Sequence, residues 1–194
     1  MNKLSQKRMS TETLVLGALL TALVFLLQFM GAFIRFGPFS ISLVLVPIVI
    51  GAATCGVGIA TWLGLVFGVA VLASGDAAAF LAVHAMGTVI TVLVKGLACG
   101  FLAGIIYKLT EKINRYLAVV LAAIVCPVAN TGVFLLGCLV FFMETVAGWG
   151  QAAGFENAGY YMIFGLVGGN FLVELAINII LTPIIVRLIN FRKK

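Results

Sequence analysis

The chain has 194 residues, of which 63% are hydrophobic and only 9% are charged. A water-soluble core cannot absorb so much apolar surface, so the composition excludes a soluble globular protein and indicates an integral membrane protein. The length allows roughly six spans of about 20 residues and leaves no room for a soluble catalytic domain. The net charge of +6 comes mainly from loops and termini, so it signals membrane topology and not nucleic-acid binding.

Six apolar segments follow one another along the chain, and their lengths are typical of membrane spans, although two are short. They cover residues 14–33, 41–53, 57–73, 85–107, 117–142 and 160–189. Fusing the short second and third segments would give a span that is too long, so we keep them separate. Pro47, Pro127 and Pro183 lie inside apolar segments and predict kinks. We therefore predict one all-α domain, residues 1–194, built as a bundle of six transmembrane helices.

Basic residues cluster on one side of this arrangement. The N-terminus, the loop after the fourth helix and the C-terminus hold nearly all of the 12 lysines and arginines. The other side receives Arg35, Asp76, Glu144 and Glu156. The positive-inside rule then predicts that both termini are cytoplasmic and that the protein crosses the membrane an even number of times.

Two outward segments, 74–84 and 144–159, are longer than a turn requires, and we expect loops there. The second contains Trp149, and the short outward segment 34–40 contains Arg35. Aromatic residues and glycine hinges on one face of the membrane predict lids over an outward-facing site. The alternative is that Trp149 anchors the chain at the membrane interface.

Polar residues line one face of the fourth helix. His84, Thr88, Thr91 and Lys95 follow helical spacing, so they share a face that is polar from the outer end to mid-depth. A second face carries a GxxxGxxxG run that starts at Gly96 and lets a neighbouring helix pack closely. Lys95 lies near the middle of an apolar segment, where an ionisable side chain marks a functional site by default.

A matching polar stripe occupies the sixth helix. Asn170, Glu174 and Asn178 recur at every fourth position, and such a stripe should face the bundle interior. Asn130 adds a polar group on the fifth helix. The depths of Glu174 and Lys95 agree within about one turn, which predicts that they share one interior. Either the two side chains pair directly, or Lys95 meets an anionic ligand.

No motif for catalysis or nucleotide binding is present. The sequence has no GxxxxGK[ST], HExxH or GxSxG run, and its four cysteines have no CxxC spacing. We therefore expect neither an enzyme nor a bound cofactor or metal.

Taken together, these features resemble those of the substrate-binding S component of an energy-coupling factor transporter. The resemblance extends over nearly the whole chain: its length, six helices, inside termini and missing nucleotide site. It is carried locally by the stretch GPFSISLVLVPIVIGAATCGVGIATWLGLVFG, by the run VLVKGLACGFLAGIIYK, and by Ala18 and Ala22 in AxxxA spacing on the first helix.

This resemblance implies capture of a water-soluble vitamin or related micronutrient near the outer face of the bilayer. It also implies that Ala18 and Ala22 dock onto a membrane T subunit, which two ATPase subunits drive. The implied pocket draws on the outward loops and the outer halves of helices four to six. Its candidate residues are Arg35, Asp76, His84, Lys95, Asn130 and Asn170, with Glu174 as partner or orienter.

The basic residues Lys95 and Arg35 favour a ligand with a carboxylate or phosphate. The chain looks most similar to the pantothenate-type members, with riboflavin and folate carriers as competitors. Other readings stay open. A stand-alone proton- or ion-coupled secondary transporter of a small metabolite would use Lys95 and Glu174 as a relay, and a structural membrane subunit would use them as internal glue.

Overall fold

The computed structural model describes residues 10–31, 35–36, 39–40 and 43–191. In chain order the elements are α1 (Thr11–Gly31), β1 (Arg35–Phe36), β2 (Phe39–Ser40), α2 (Leu45–Cys55), α3 (Val57–Ala73), α4 (Ala78–Val83), α5 (Ala85–Thr110), α6 (Arg115–Phe141), α7 (Met143–Ala152), α8 (Ala158–Tyr160), a π-helical segment (Tyr161–Gly168) and α9 (Gly169–Phe191). The two short strands pair as an antiparallel hairpin. The described chain is otherwise built from helices, which confirms the predicted all-α class.

Four helical stretches are long and apolar enough to cross a membrane: α1, α5, α6 and the continuous run Ala158–Arg187. The apolar helices α2 and α3 are shorter, with 11 and 17 residues. At about 1.5 Å per residue they reach roughly 16 and 26 Å, against a hydrocarbon core of about 30 Å. The predicted count of six spans and the cytoplasmic position of the termini therefore stay predictions.

Helix α2 lies at the centre of the bundle. It contacts α1, α3, α5, α6 and α9, and its Leu45, Ile48 and Val49 side chains are fully buried. Pro47 falls in its first turn, where a backbone N–H has no intrahelical acceptor, so this proline requires no kink. A short helix surrounded by five others contributes its apolar surface to a shared core instead of to lipid.

Small residues let α3 and α5 pack backbone to backbone. A Cβ added at Gly64 would overlap the Gly96 carbonyl, and one at Gly100 would overlap the Ala60 carbonyl. Further along the same line, a Cβ at Gly68 would come within 2.9 Å of the Val92 carbonyl oxygen. The predicted close-packing seam on the fourth apolar segment is thus confirmed, and its partner is α3.

The segments predicted as outward loops contain short helices instead. Residues 74–84 form a turn and then α4, and residues 144–159 contain most of α7 and the beginning of α8. Each of α4 and α7 buries an apolar side chain, Phe80 and Val146 respectively. Gly75 and Gly154 make the adjoining turns with positive φ angles of 77° and 82°. The prediction was wrong because it judged these segments by length and polarity and overlooked their spaced apolar anchors.

Candidate functional site

Lys95 occupies an aromatic and acidic environment inside the bundle. Its Nζ lies 5.4 Å from the ring centre of Phe67 on α3 and 5.6 Å from that of Phe134 on α6. An ammonium between two aromatic faces gains about 0.5–2 kcal/mol from each. The carboxylates of Glu174, on α9, and Asp76, in the turn before α4, both attract it electrostatically. Aromatic rings from two helices and the charges of two carboxylates therefore act on the Lys95 side chain.

A small cavity of about 30 Å³ adjoins the Lys95 side chain. Its lining includes Asp76, Phe80, Thr88, Thr91, Lys95 and Phe134. A volume of this size holds one or two water molecules, whereas pockets for small ligands usually measure about 300–1,000 Å³. The cavity as described is too small for such a ligand, so a ligand would fit beside Lys95 only if some of these walls moved.

Phe80, on α4, lines the cavity. Its ring makes edge-to-face contacts with Phe134, Phe142 and Trp149 at centroid distances of 5.5, 5.0 and 5.3 Å. The Phe80 side chain is only 4% exposed, and α7 supplies Trp149. We call this aromatic cluster, Phe80, Phe134, Phe142 and Trp149, the roof of the site. Trp149 packs into the roof, although the sequence equally allowed a membrane-interface anchor.

Three buried polar atoms on α5, α6 and α9 make no hydrogen bond with the described residues: Thr91 Oγ1, Asn130 Oδ1 and Asn170 Oδ1. Of the three residues, Thr91 lines the cavity, whereas Asn130 and Asn170 do not. Each lies about one helical turn from a residue of the Lys95 environment, because Thr91 precedes Lys95, Asn130 precedes Phe134 and Asn170 precedes Glu174. Buried polar atoms are normally paired, and leaving one unpaired costs about 1–3 kcal/mol. The site therefore offers polar groups that hydrogen bonds to a ligand would satisfy.

The polar stripe on α9 faces the bundle as predicted. Glu174 and Asn178 are both buried. The Asn178 Nδ2 group donates to the Glu174 carbonyl at 2.8 Å, and the Thr182 hydroxyl donates to the Asn178 carbonyl at 2.9 Å. Sequence reasoning missed Thr182, which continues the same four-residue spacing, and these local bonds fix the orientation of the stripe.

His84 has a local structural role. Its Nδ1 accepts a 2.8 Å hydrogen bond from the Gly87 N–H, which caps the N-terminus of α5. Its ring stacks on Phe141 at 5.8 Å and is exposed. Because α5 begins at Ala85, the helical polar face starts at Thr88, and His84 is not among the residues that line the cavity. For Arg35, the structure gives a backbone pairing with Ser40, while its side chain lies outside the described part of the chain.

Sequence reasoning also missed the aromatic walls. Phe67, Phe80 and Phe134 looked like three of the 15 phenylalanines in an apolar chain. One signal could have found Phe134, because it stands four residues after Asn130 and so shares its helical face. Phe67 and Phe80 gave no such signal, since their role depends on how α3 and α4 pack against α5.

Ala18 and Ala22 lie on the outer face of α1. Both are exposed, while Gly17, Leu20 and Val24 on the other face are buried. The AxxxA pair is therefore available to a neighbouring helix that is not part of this chain.

An apolar helical bundle with a polar, charge-bearing interior defines a polytopic membrane protein that can hold a polar solute. The chain matches the model of one family, described as ECF transporter, substrate-specific component, over residues 12–186. It therefore belongs to the family of substrate-specific components, or S components, of energy-coupling factor transporters. Comparison with curated proteins gives no match, and comparison with solved structures gives none either.

Membership of this family makes the chain a membrane transport subunit and not an enzyme. It also implies association with a substrate, with a T subunit and with ATPase subunits, which carry out the energy-consuming step.

Proposed function

We propose that this S component captures a small, singly anionic vitamin that also carries hydroxyl or amide groups, and that pantothenate is the best candidate. The observation that carries this proposal is the Lys95 ammonium, held between Phe67 and Phe134 beside a cavity. An ammonium has three donors, so it can serve Glu174 and a ligand carboxylate together.

Charge balance ranks the candidate vitamins. Glu174 and Asp76 already oppose Lys95, so a ligand with two carboxylates, such as folate, would bring an uncompensated negative charge close to them. Riboflavin has no carboxylate and would leave the ammonium without a ligand partner. Pantothenate has one carboxylate for Lys95, and its hydroxyl and amide groups are chemically suited to Thr91, Asn130 and Asn170.

Ligand entry requires the roof to open. The cavity of about 30 Å³ is far smaller than a vitamin, and α4 and α7 cover it with Phe80 and Trp149. In this proposal, α4 and α7 act as the lid, and the cavity expands as Phe80 leaves the aromatic cluster. His84 does not line the cavity, so in this proposal it would contact the ligand only during entry.

Docking onto the T subunit uses the exposed face of α1. Two small side chains four residues apart, Ala18 and Ala22, allow a partner helix to approach closely. We place the docked complex, with its T subunit and two ATPase subunits, in the bacterial plasma membrane. In this arrangement α2 and α3 complete a six-span topology with cytoplasmic termini.

Native mass spectrometry of the purified chain against pantothenate, riboflavin and folate tests the ligand. We expect one-to-one retention of pantothenate and loss of that retention in Lys95→Met. Removing one partner of a buried charge pair costs about 2–5 kcal/mol, so the Kd should rise by at least about 30-fold. Lys112→Met, which changes an exposed lysine outside the cavity, is the matched control and should bind normally.

A double variant separates binding from folding. Lys95→Met alone removes a cation that attracts the buried Glu174 carboxylate, whereas Lys95→Met with Glu174→Gln removes both charges. The double variant should remain folded and still fail to bind. Normal pantothenate binding by this variant would overturn the role of Lys95, and retention of riboflavin or folate in its place would overturn the vitamin assignment.

A further inference from the structure

A second and larger cavity lies at the opposite end of the bundle from the roof. Its volume is about 650 Å³. It lies where the end of α2 and the beginning of α3 meet the end of α5 and the beginning of α6, and its lining includes Gly56, Val57, Tyr107, Lys108, Glu111 and Arg115. Tyr107 stands about 18 Å further along α5 than Lys95. This pocket is therefore separate from the vitamin site proposed above.

The N-terminus of α3 opens into this pocket. Gly56 adopts a φ of 89°, and its own N–H donates to the Gly51 carbonyl at 3.1 Å. No side chain caps the first turn of α3, so the amides that follow Gly56 have no intrahelical acceptor. A Cβ added at Gly58 would meet no atom within 4 Å. Open space thus adjoins a helix end that favours negative charge.

A buried phenol provides independent support for a ligand here. Tyr107 is only 3% exposed, yet its hydroxyl makes no hydrogen bond within the described part of the chain. Buried tyrosine hydroxyls usually find a partner. Arg115 and Glu111 both interact electrostatically with this hydroxyl, and Arg115 also comes close to hydrogen-bonding distance of it. All three residues line the pocket. The Arg115 Nε is also buried without a hydrogen-bond partner among the described residues.

Two cations complete the pocket. Lys108 lies in the last turn of α5, and Arg115 is the first residue of α6. Glu111 offsets part of this charge, but the helix end adds positive potential. A guanidinium presents a planar fork of donors that matches a tetrahedral oxyanion. The pocket offers many hydrogen-bond donors: backbone amides, a phenol, an ammonium and a guanidinium. A ligand with three acceptor oxygens can pair with more of these donors than a carboxylate with two.

We propose that this pocket binds a phosphate group, carried either by a phospholipid headgroup or by a free phosphate compound. The proposal adds a site to the chain and does not depend on which vitamin occupies the Lys95 site. Three features carry it, and all of them line the same cavity: the uncapped start of α3, the buried Tyr107 hydroxyl and the Arg115 guanidinium.

The test uses the full-length chain in a neutral detergent and follows its thermal unfolding midpoint. Inorganic phosphate, dioleoyl phosphatidylglycerol and dioleoyl phosphatidylcholine are each titrated against it. We expect a saturable rise in the midpoint with at least one of these probes. A response to inorganic phosphate identifies a free-phosphate site, and a response to phospholipid alone identifies a headgroup site. Absence of a saturable response to all three would overturn the proposal.

Matched variants assign the response to the pocket. Arg115→Gln should weaken the Kd by roughly tenfold or more, because a hydrogen bond to a charged group contributes about 1.5–3 kcal/mol. Tyr107→Phe should weaken it less and change the stability of the unliganded protein little, since the hydroxyl makes no well-formed hydrogen bond with the described residues. Lys112→Gln is the control, because Lys112 is exposed and does not line the pocket. Equal Kd values in all three variants would overturn the assignment.

Gly58→Asp provides a second test that does not depend on whether the other variants fold. The position has space for a side chain, and a carboxylate in the first turn of α3 suits the helix end. This variant should fold, occupy the site with its own carboxylate and abolish the phosphate response. Pantothenate binding should survive in every one of these variants, so failure of this proposal and failure of the vitamin proposal give different results. A full phosphate response in folded Gly58→Asp would exclude the α3 terminus as the site.

Discussion

Two regions on either side of α5 differ in how completely they are packed. On one side, the α3–α5 seam brings Gly64 and Gly96 together so closely that neither position has space for a Cβ. On the other, Lys95 adjoins a cavity, and buried acceptors on Thr91 and Asn130 make no hydrogen bond with the described residues. Helix α5 thus contributes one face to a tightly packed seam and another face to a polar site in which some buried groups have no hydrogen-bond partner among the described residues.

This difference indicates which face of α5 serves stability and which serves binding. Close backbone packing gains many dispersion contacts and tolerates no change of volume. Unpaired buried polar atoms cost stability, and proteins keep such features mainly where function requires them. A substitution in the seam should therefore damage the fold, whereas a substitution around Lys95 should damage binding and leave the fold largely intact.

The largest expected effect comes from Gly100→Ala in the seam. The new Cβ would overlap the Ala60 carbonyl, and because that neighbour is backbone, the two helices must move apart. Overpacking typically costs about 1–3 kcal/mol and occasionally more, so the thermal unfolding midpoint in detergent should fall sharply. Gly132→Ala is the matched control on α6, where a Cβ meets no atom within 4 Å, and it should stabilise by up to about 1 kcal/mol. Equal unfolding midpoints for the two variants would contradict the close backbone packing of α3 against α5 at Gly100.

A substitution on α1 extends the comparison to a face that is exposed in the described part of the chain. Ala18→Trp places a bulky side chain at an exposed position, so the free energy of unfolding and vitamin binding should stay unchanged. Uptake by the complete transporter should be lost, because the T subunit could no longer approach α1 closely. Leu136→Trp, at an equally exposed site on α6, should transport normally. Normal uptake with Ala18→Trp would exclude this face as the docking surface.

Phe80→Ala tests the roof, which lies between the two extremes. Removing a buried phenylalanine costs about 3–5 kcal/mol in a well-packed core, but the roof already adjoins a cavity, so we expect a smaller loss of stability than for Gly100→Ala. Opening the roof should raise both the association and the dissociation rates of the vitamin, as measured by stopped-flow binding. Phe164→Ala removes an exposed ring from the π-helical segment and should change neither rate. Unchanged rates with Phe80→Ala would mean that the ligand enters by another route.

Helical periodicity alone predicted much of this architecture. Four-residue spacing placed Asn170, Glu174 and Asn178 on one inward face, and GxxxG spacing identified the seam, because both patterns depend only on local helix geometry. The π-helical segment Tyr161–Gly168 was not predicted. It precedes Asn170 directly and shifts the helical register, and the glycine-rich GLVGG run at its end was the available signal.

The features that the sequence did not predict depend on tertiary packing. Whether Phe80 is a loop residue or part of a cavity lining depends on its contacts with Phe134, Phe142 and Trp149, which lie far away in sequence. His84 looked like the outer end of a polar face, but its cap on the Gly87 N–H starts the helix one residue later. Contacts between elements, unlike periodicity within one element, cannot be read from a single sequence.

The smallest effect on stability, and the most selective for binding, should come from Asn170→Ala. Its Oδ1 has no hydrogen-bond partner among the described residues, so truncation removes an unsatisfied acceptor and should leave the unliganded protein as stable or slightly more stable. Vitamin affinity should fall by roughly tenfold, the equivalent of one lost hydrogen bond.

Asn157→Ala is the control and should give the opposite pattern, because Asn157 caps α8 through the Gly159 N–H at 2.7 Å. It should cost about 1 kcal/mol of stability and leave affinity unchanged. If Asn170→Ala instead destabilised the unliganded protein and kept full affinity, Asn170 would belong with the supporting seam and not with the binding site.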